Sequence, residues 1–444
     1  MTKKWKREVV TSGKVIDRKS GKAYSIVQLF DIYNCNYVIR EKSRLQFESY
    51  EPLKYNATPF MSTSYGEYFM VQQNENYCRR TIYEQLYCPI CQRTYKFSAE
   101  NFRIGERQGY NRKRSKFAVC KHCLRFYREK SGNRKIGIIN LDPLFGLNLK
   151  VEELALAFQL ISENKSMSKI CESLEHLRAK KVGTYERISK KTVQYGCYRI
   201  APLIKLYVKD CCRPMFVDRE LIIDTFCFTR KSFDLTFDDT IEKELIQFYV
   251  TIIIGGYSTA LYGFGVAEDE FDSALKCAKM AKIYTSGVLR ECMIKFDDSH
   301  KIRKALVRAG VPESHLTSVS KSVCRSYINK VEGIIRILRA HGLKKRRYST
   351  IPGVFTKLVI EFVNWNFFKK HTLFDSRWEG KIFQLLQING PKNWKELIED
   401  SWQYILSRGD LFKRYYPKFN RGPRKRKAHK TMLYVPNHTT LSMC

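Results

Sequence analysis

The sequence predicts a multidomain α/β protein, and three observations carry that prediction. Two C-x-x-C pairs lie in the first third of the chain, and three segments of helical period follow them. Beyond these, short apolar runs alternate with basic amphipathic segments, as strands feeding helices do. With 444 residues there is room for about two to four domains, and a 44% hydrophobic, 13% aromatic composition excludes a disordered chain.

Residues 1–80 carry the least pattern. Val15 and Ile16 close a short strand, DRKSGK makes a turn and AYSIVQLFDIY reads as a second strand, so a β-hairpin is expected, for packing ahead of DNA contact. Residues 81–135 are more specific. YCPICQRTYKF and VCKHCLRFY present Cys88, Cys91, Cys120 and Cys123 as two knuckles separated by 28 residues, from 92 to 119. Four thiolates in that pattern converge on structural Zn²⁺, as in a zinc ribbon or treble clef with an extended hairpin arm. A redox pair is the competing reading, but neither pair sits in a thioredoxin-like βαβ context. His122 is an alternative ligand. In the arm, Arg103, Arg107, Arg112, Lys113, Arg114 and Lys116 interleave with Phe102, Tyr110 and Phe117, a mixture suited to phosphate contact and stacking.

Residues 145–210 read as three helices: VEELALAFQLI, NKSMSKICESLEHL and ISKKTVQYGCYRIAPLIKLYV. Ser189 is the expected N-cap of the third, so Lys190, Lys191, Thr192 and Gln194 would open the recognition helix of a helix-turn-helix domain. A plain linking bundle is the alternative.

From Met215 the order is strand (LIIDTF), a charged excursion from Arg230 to Glu244, a hairpin (LIQFYVTIII with TALYGFGVA), a helix (FDSALKCAKMAKIYTS) and a strand (CMIKFDD). Asp224 follows an apolar triplet, and Asp297 follows the run Met293–Phe296; Asp218 and Asp298 compete with them. Further on, Asn329, Glu332, Arg336 and Arg339 recur at i, i+3, i+7 and i+10, on one helix face. The spacing from Asp297 to Glu332 is 332 − 297 = 35 residues. A bland reading exists for each: Glu332 and Arg336 make an ordinary i, i+4 pair, with Val331, Ile334, Ile335 and Leu338 as a core stripe. Asp238/Asp239 and Glu268/Asp269/Glu270 read as solvated loops.

Taken together, Asp224, Asp297 and Glu332 make a D, D-35-E arrangement that resembles the DDE transposases and integrases, in particular the insertion-sequence transposases. FDDSHKIRKAL is similar to their D-G-x-x-x-Y-x-x-A motif, with Asp298 in place of the glycine and Ile302 in place of the aromatic. NKVEGIIRILR matches N-x-x-E before a basic helix, and NWNFFKKH resembles N-F-x-x-x-H. The resemblance covers residues 215–375 and implies a ribonuclease-H-like mixed-sheet catalytic domain there. It implies that Asp224, Asp297 and Glu332 hold Mg²⁺ or Mn²⁺, with Asn329 and Arg336 orienting Glu332 or meeting phosphate. In-line displacement at a phosphodiester needs both attacking and leaving oxygens stabilised, which two cations held by carboxylates achieve. It also implies cleavage at mobile-element ends, strand transfer into duplex target DNA, and a homo-oligomer on DNA.

An aromatic helix is expected between Pro352 and His371, packed on the sheet, then a helical extension over 376–411 and a basic tail over 412–444. Nine Lys or Arg lie between Lys413 and Lys430, among them Arg424, Lys425, Arg426 and Lys427, which would contact the DNA backbone. The whole chain has 80 Lys and Arg against 44 Asp and Glu, a net +36 that calls for a polyanion. A membrane is excluded as partner: the longest apolar stretch, Phe248–Ala267, is broken by Gly255, Gly256, Ser258 and Thr259 and reads as two strands with a Gly-Gly turn. MTKKWKREVV lacks the apolar core of a secretory signal, so an intracellular, nucleoid-associated protein is expected. Most of the fifteen cysteines, such as Cys171, Cys227 and Cys277, are then small buried hydrophobes. Two other classes fit less of the pattern: a catalytically inactive, transposase-derived DNA-binding regulator, and a basic zinc-bearing RNA-binding protein.

Overall fold

The computed structural model describes residues 14–16, 23–28, 37–40, 60–63, 66–71, 79–108, 114–124, 137–182, 187–233, 243–319, 332–336, 351–373 and 376–416. The chain begins with strands β1 (Lys14–Ile16), β2 (Ala23–Gln28) and β3 (Tyr37–Arg40); β1 and β2 form the expected antiparallel pair and β3 extends it. A second pair, β4 (Phe60–Thr63) and β5 (Gly66–Met70), contributes Tyr68 and Phe69 to the core. Helix α1 (Arg79–Glu84) leads into a hairpin of β6 (Gln85–Cys88) and β7 (Arg93–Lys96). Then β8 (Phe102–Gln108), β9 (Arg114–Cys120) and β10 (Ile138–Asn140) make an antiparallel sheet of order β10-β9-β8. Its third strand lies beyond residue 135, where the sequence alone ended the finger.

Three helices follow, α2 (Val151–Ser162), α3 (Met167–Val182) and α4 (Lys190–Cys211). Ser189 caps α4, accepting from the Thr192 N–H at 3.1 Å. The first two helices are clamped by a buried ion pair, Arg178 Nε to Glu153 Oε1 at 2.7 Å, with Arg178 also donating to the Asn148 carbonyl. Each charge is therefore both paired and hydrogen-bonded, the condition for tolerating burial.

The central sheet comes next. After β11 (Phe216–Asp218), which pairs with β5, run β12 (Glu220–Phe233), β13 (Lys243–Gly255) and β14 (Leu261–Ala267). Helix α5 (Glu270–Tyr284), β15 (Met293–Phe296), α6 (His300–Arg308) and β16 (Leu316–Ser318) complete it. The order is β14-β13-β12-β15-β16, antiparallel on the first three and parallel from β12 onward, a mixed sheet consistent with a ribonuclease-H-like fold. The region read as a charged excursion is partly strand: β12 runs on through Phe233, and Arg230 pairs with Ile246. Gly263 and Gly265 let α5 lie close on β14, because a side chain at Gly265 would collide with the Ser273 carbonyl. Asp269, expected in a solvated loop, caps α5 by accepting from the Phe271 and Asp272 N–H groups, and it ion-pairs with Lys301.

A helical stretch over 332–336 buries Ile334 and Ile335 and leaves Glu332 and Arg336 exposed. Then come α7 (Ile351–Val363), a π-helical turn Asn364–Phe368, β17 (Lys370–Leu373), β18 (Trp378–Lys381), α8 (Ile382–Leu385), α9 (Trp394–Ser407) and α10 (Gly409–Tyr415). The buried Asn366 side chain accepts from Leu261 N–H at 2.9 Å and donates to Leu261 O at 2.7 Å, so one amide satisfies the first residue of β14 on its outer edge. His371 is structural, bonding the Trp365 carbonyl. The apolar core is continuous from Tyr68 to Phe412. Helix α9 lies within it: Tyr83 donates to Asp400, Gln403 to the Ile82 carbonyl, and Trp402 to the Asn140 carbonyl. Among the described residues no helix is long and apolar enough to cross a membrane. Cys171 and Cys277 are buried as expected, whereas Cys227 is exposed.

Asp218 is sealed at the base of the sheet. Its carboxylate accepts from the Tyr257 and Ser258 N–H groups at 2.8 and 2.7 Å, the Ser258 hydroxyl at 2.5 Å and the Tyr262 hydroxyl at 2.6 Å. Burial pushes this carboxyl above the usual range, and the four donors oppose that push. Asp218→Asn removes the charge-assisted bonds and turns an amide N–H₂ toward donors. We expect the urea midpoint to fall by the equivalent of about 2 kcal/mol.

Candidate functional sites: a cysteine tetrad and an aspartate pair

The β6–β7 hairpin turns sharply at the first knuckle, with Gln92 left-handed at φ 54°, and the Cys91 N–H points at Cys88 Sγ from 3.4 Å. Cys120 ends β9 and Cys123 sits on the helical turn at 121–124, so both knuckles face one point. The four Sγ atoms lie within 4.8 Å of one another, with separations of 3.1 Å (Cys91–Cys123), 3.5 Å (Cys88–Cys123) and 3.8 Å (Cys91–Cys120). Tetrahedral Zn²⁺ with bonds of about 2.3 Å requires S···S of about 3.8 Å. The tetrad fits a zinc ion. Two of the thiols are shifted toward the protonated form: the hydrogen bond with Cys88 and burial raise Cys120, and burial with the Cys91 contact pushes Cys123 up to about 12. A divalent ion inverts that preference. His122 is not part of the cluster; it bonds Asn101 Oδ1 at 3.0 Å and stacks on Tyr95.

Gly137 is a support that sequence reading missed, since nothing marks a lone glycine as lying under a cysteine cluster. A Cβ there would stand 2.6 Å from Cys88 Sγ and 3.5 Å from Cys123 Sγ. Gly137→Ala should therefore push sulfur out of tetrahedral position and lower zinc affinity by about 10- to 100-fold, the range typical of supporting-residue changes. Competition with a chromophoric chelator measures it.

Among the candidate acids, Asp224 and Asp297 are brought together. The parallel register of β12 with β15 ends at Ile223 opposite Phe296, so the next residue on each chain is the candidate acid. Adjacent strands are about 4.8 Å apart. Thr225 bonds Thr251, which bonds Ser273 of α5, so by strand alternation Asp224 projects from the face opposite α5. Asp224 Oδ1 accepts from the Thr225 N–H at 2.7 Å. Asp297 Oδ1 is buried and has no hydrogen-bond partner among the described residues, whereas Asp298 is exposed and accepts from Ser318 Oγ at 2.7 Å. A buried carboxylate oxygen without a donor is one that a bound cation would satisfy. Glu332 is exposed on the 332–336 stretch. Among the described residues the cysteine tetrad is the cluster whose ligand atoms converge; Asp224, Asp297 and Glu332 do not.

Of the candidate DNA contacts, Lys190 and Lys191 are exposed on the first turn of α4, Gln194 is half-buried, and the Thr192 hydroxyl lies 2.8 Å from that of Ser189. Arg336 is exposed one turn after Glu332. Arg114 lies on β9. Arg112, Lys113, Asn329, Arg424, Lys425, Arg426 and Lys427 lie outside the described residues. Two arm aromatics part ways: Phe102 is buried against Tyr95 and Phe97, so it belongs to the core, while Phe117 stays half-buried.

No protein-family model matches the chain, and no curated protein matches it. Among solved structures, a Mos1 transposase paired-end complex with the left transposon end is similar over 55% of this chain and 85% of that one. The identity is 10% and the TM-score 0.14, a superposition too loose to bear on fold or activity.

Proposed function

We propose that the chain is a DNA transposase of the DDE type, which cuts phosphodiester bonds at mobile-element ends and joins the freed strands to target DNA. The observation that carries this reading is the pair Asp224 and Asp297: Asp224 lies within β12 at the point where its parallel pairing with β15 stops, and Asp297 is the residue that follows β15 in the same mixed sheet. The partnerless Oδ1 of Asp297 supports it, and so does the engagement of the two competing acids, Asp218 and Asp298, elsewhere.

In this reading Asp224, Asp297 and Glu332 hold Mg²⁺ or Mn²⁺, which when bound stabilises charge on the attacking and leaving oxygens. Ile334 and Ile335 anchor the backbone under Glu332, so its exposed carboxylate extends from a fixed base. Arg336, one turn on, would meet phosphate, with Asn329 orienting Glu332. Lys190, Lys191, Thr192 and Gln194 of α4, Arg112, Lys113 and Arg114 of the finger arm, and Arg424, Lys425, Arg426 and Lys427 would bind duplex DNA. Zinc in the cysteine tetrad would stabilise the finger. A homo-oligomer on paired ends belongs to the same proposal.

The test is Mg²⁺-dependent nicking and joining of plasmid DNA carrying the element's own ends, comparing wild type with Asp297→Asn and Glu332→Gln. Loss of both products in both variants, with DNA binding kept, supports the reading. Wild-type levels in either variant overturn the assigned triad. The separation of the three carboxylates favours one second reading, a transposase-derived DNA-binding regulator. End binding without nicking by any form would establish that reading instead.

A further inference from the structure

We propose that the outward face of the finger's three-stranded sheet binds an unpaired DNA strand, with Phe117 as a stacking platform and Arg103 and Arg107 as phosphate contacts. Strand register defines the face. Across β8 and β9, Arg103 opposes Val119, Gly105 opposes Phe117 and Arg107 opposes Ser115; across β9 and β10, Val119 opposes Ile138. Opposed residues, and those two apart, share a side of the sheet. Arg103, Gly105, Arg107, Phe117, Val119 and Ile138 therefore look one way. The other way look Phe102, Ala118, Cys120 and Ile139, all buried in the core near the knuckles, and farther along the arm the exposed Ile104, Glu106 and Lys116.

On the outward side Asn140, opposite Phe117, donates its amide to the Tyr416 hydroxyl at the β10 margin, and the β8 and β9 positions are open. Arg103 and Arg107 are exposed, Phe117 and Val119 half-buried, and Ile138 is 47% exposed. Neither Phe117, Val119 nor Ile138 joins the apolar core. The Phe117 ring reaches across Gly105, where a Cβ would stand 2.6 Å from its Cζ. Only glycine lets the ring lie along the sheet instead of standing off it. Two residues to either side on β8 are Arg103 and Arg107, so a guanidinium flanks the ring before and after. Glu106 belongs to the opposite side. Asp142, at the margin, is engaged by the Ser115 hydroxyl and the Leu144 N–H.

A ring lying on a flat sheet between two arginines fits a base stacked on it, with the adjoining phosphates on the arginines. Duplex bases are already stacked on one another and offer such a ring only a terminal pair. The occupant is thus a single strand. Choosing DNA over RNA rests on the function proposed above; the platform itself does not.

Fluorescence anisotropy of a labelled oligothymidylate of about 15 nucleotides tests this, titrated with the full chain at several salt concentrations without divalent cation, so that cleavage plays no part. Phe117→Ala should weaken binding by about tenfold, within the usual range for loss of one stacked base, and Phe117→Tyr should restore it. Replacing Arg103 and Arg107 together by Ala should reduce the salt slope by about 1.4, or about 0.7 per phosphate contact on a single strand. Blunt duplex affinity should change less than about twofold. The proposal is overturned if Phe117→Ala binds like wild type, if duplex binding falls equally, or if oligouridylate binds about tenfold more tightly than oligothymidylate. Zinc stoichiometry checks that each variant is folded. Should Phe117→Ala lose zinc, photocrosslinking wild type to an iododeoxyuridine-substituted strand decides: an adduct at Phe117 supports the platform, and adducts confined to other segments overturn it.

Discussion

Asp297→Asn is expected to lower Mg²⁺-dependent strand cleavage by roughly 10³-fold or more, about 4 kcal/mol of transition-state stabilisation, while leaving DNA affinity within about twofold. The argument turns on the surroundings of Asp297. Its Oδ1 is buried with no donor among the described residues, so the folded chain does not need that charge for its own stability. The substitution is nearly isosteric and removes an uncompensated charge from a partly desolvated position. The thermal midpoint of the metal-free protein should accordingly stay level or rise. Asp218→Asn should do the reverse, lowering the midpoint, because four donors converge on that carboxylate. Measuring cleavage and melting on both variants separates an acid kept for chemistry from one kept for architecture. A fall in the Asp297→Asn midpoint comparable with that of Asp218→Asn would assign Asp297 to architecture.

The second large effect concerns zinc. Structural zinc contributes about 10–16 kcal/mol in isolated finger peptides, and here the finger is built into the rest of the core. Tyr87, beside Cys88, packs on Phe412, and Gly409 comes so close that a Cβ there would stand 2.5 Å from the Tyr87 ring. Gln403 bonds the carbonyls of Ile82 and Gln85, and Asn140 bonds Tyr416. Chelation, or Cys120→Ser, should therefore loosen helices α9 and α10 as well as the finger. Hydrogen exchange at the amides of Leu397 to Ile405 should lose about 100-fold in protection. If those amides keep their protection while the finger exchanges freely, the two parts are not coupled.

Much of this was legible in the chain, for reasons that differ by element. The cysteine tetrad could be read because its geometry is local: each knuckle spans four residues, so spacing encodes direction. The strand order from Leu221 to Phe296 was legible because alternation and apolar runs persist within each element. The choice among acids was not. Asp218 and Asp224 both follow apolar runs, and what distinguishes them is Tyr257, Ser258 and Tyr262, 39, 40 and 44 residues beyond Asp218. Helix α9 was hidden differently: Asp400, Ser401, Gln403 and Ser407 are buried there, so a central helix carries the composition of a peripheral one. The length of β12 was masked by its charges, because Arg230 and Lys231 resemble a loop until the pairing with Ile246 and Leu245 is seen.

The amide of Asn366 has a consequence beyond packing. An open sheet edge is a template on which another chain can crystallise its own strand, and proteins gathered at high local density on a polymer are the most exposed to that hazard. Here the β14 edge is engaged at Leu261 by a side chain that imitates the donor and acceptor of a neighbouring strand, and the opposite edge is β16, only three residues long. For molecules whose +36 charge favours gathering along a polyanion, both features lower the tendency of the central sheets to fuse.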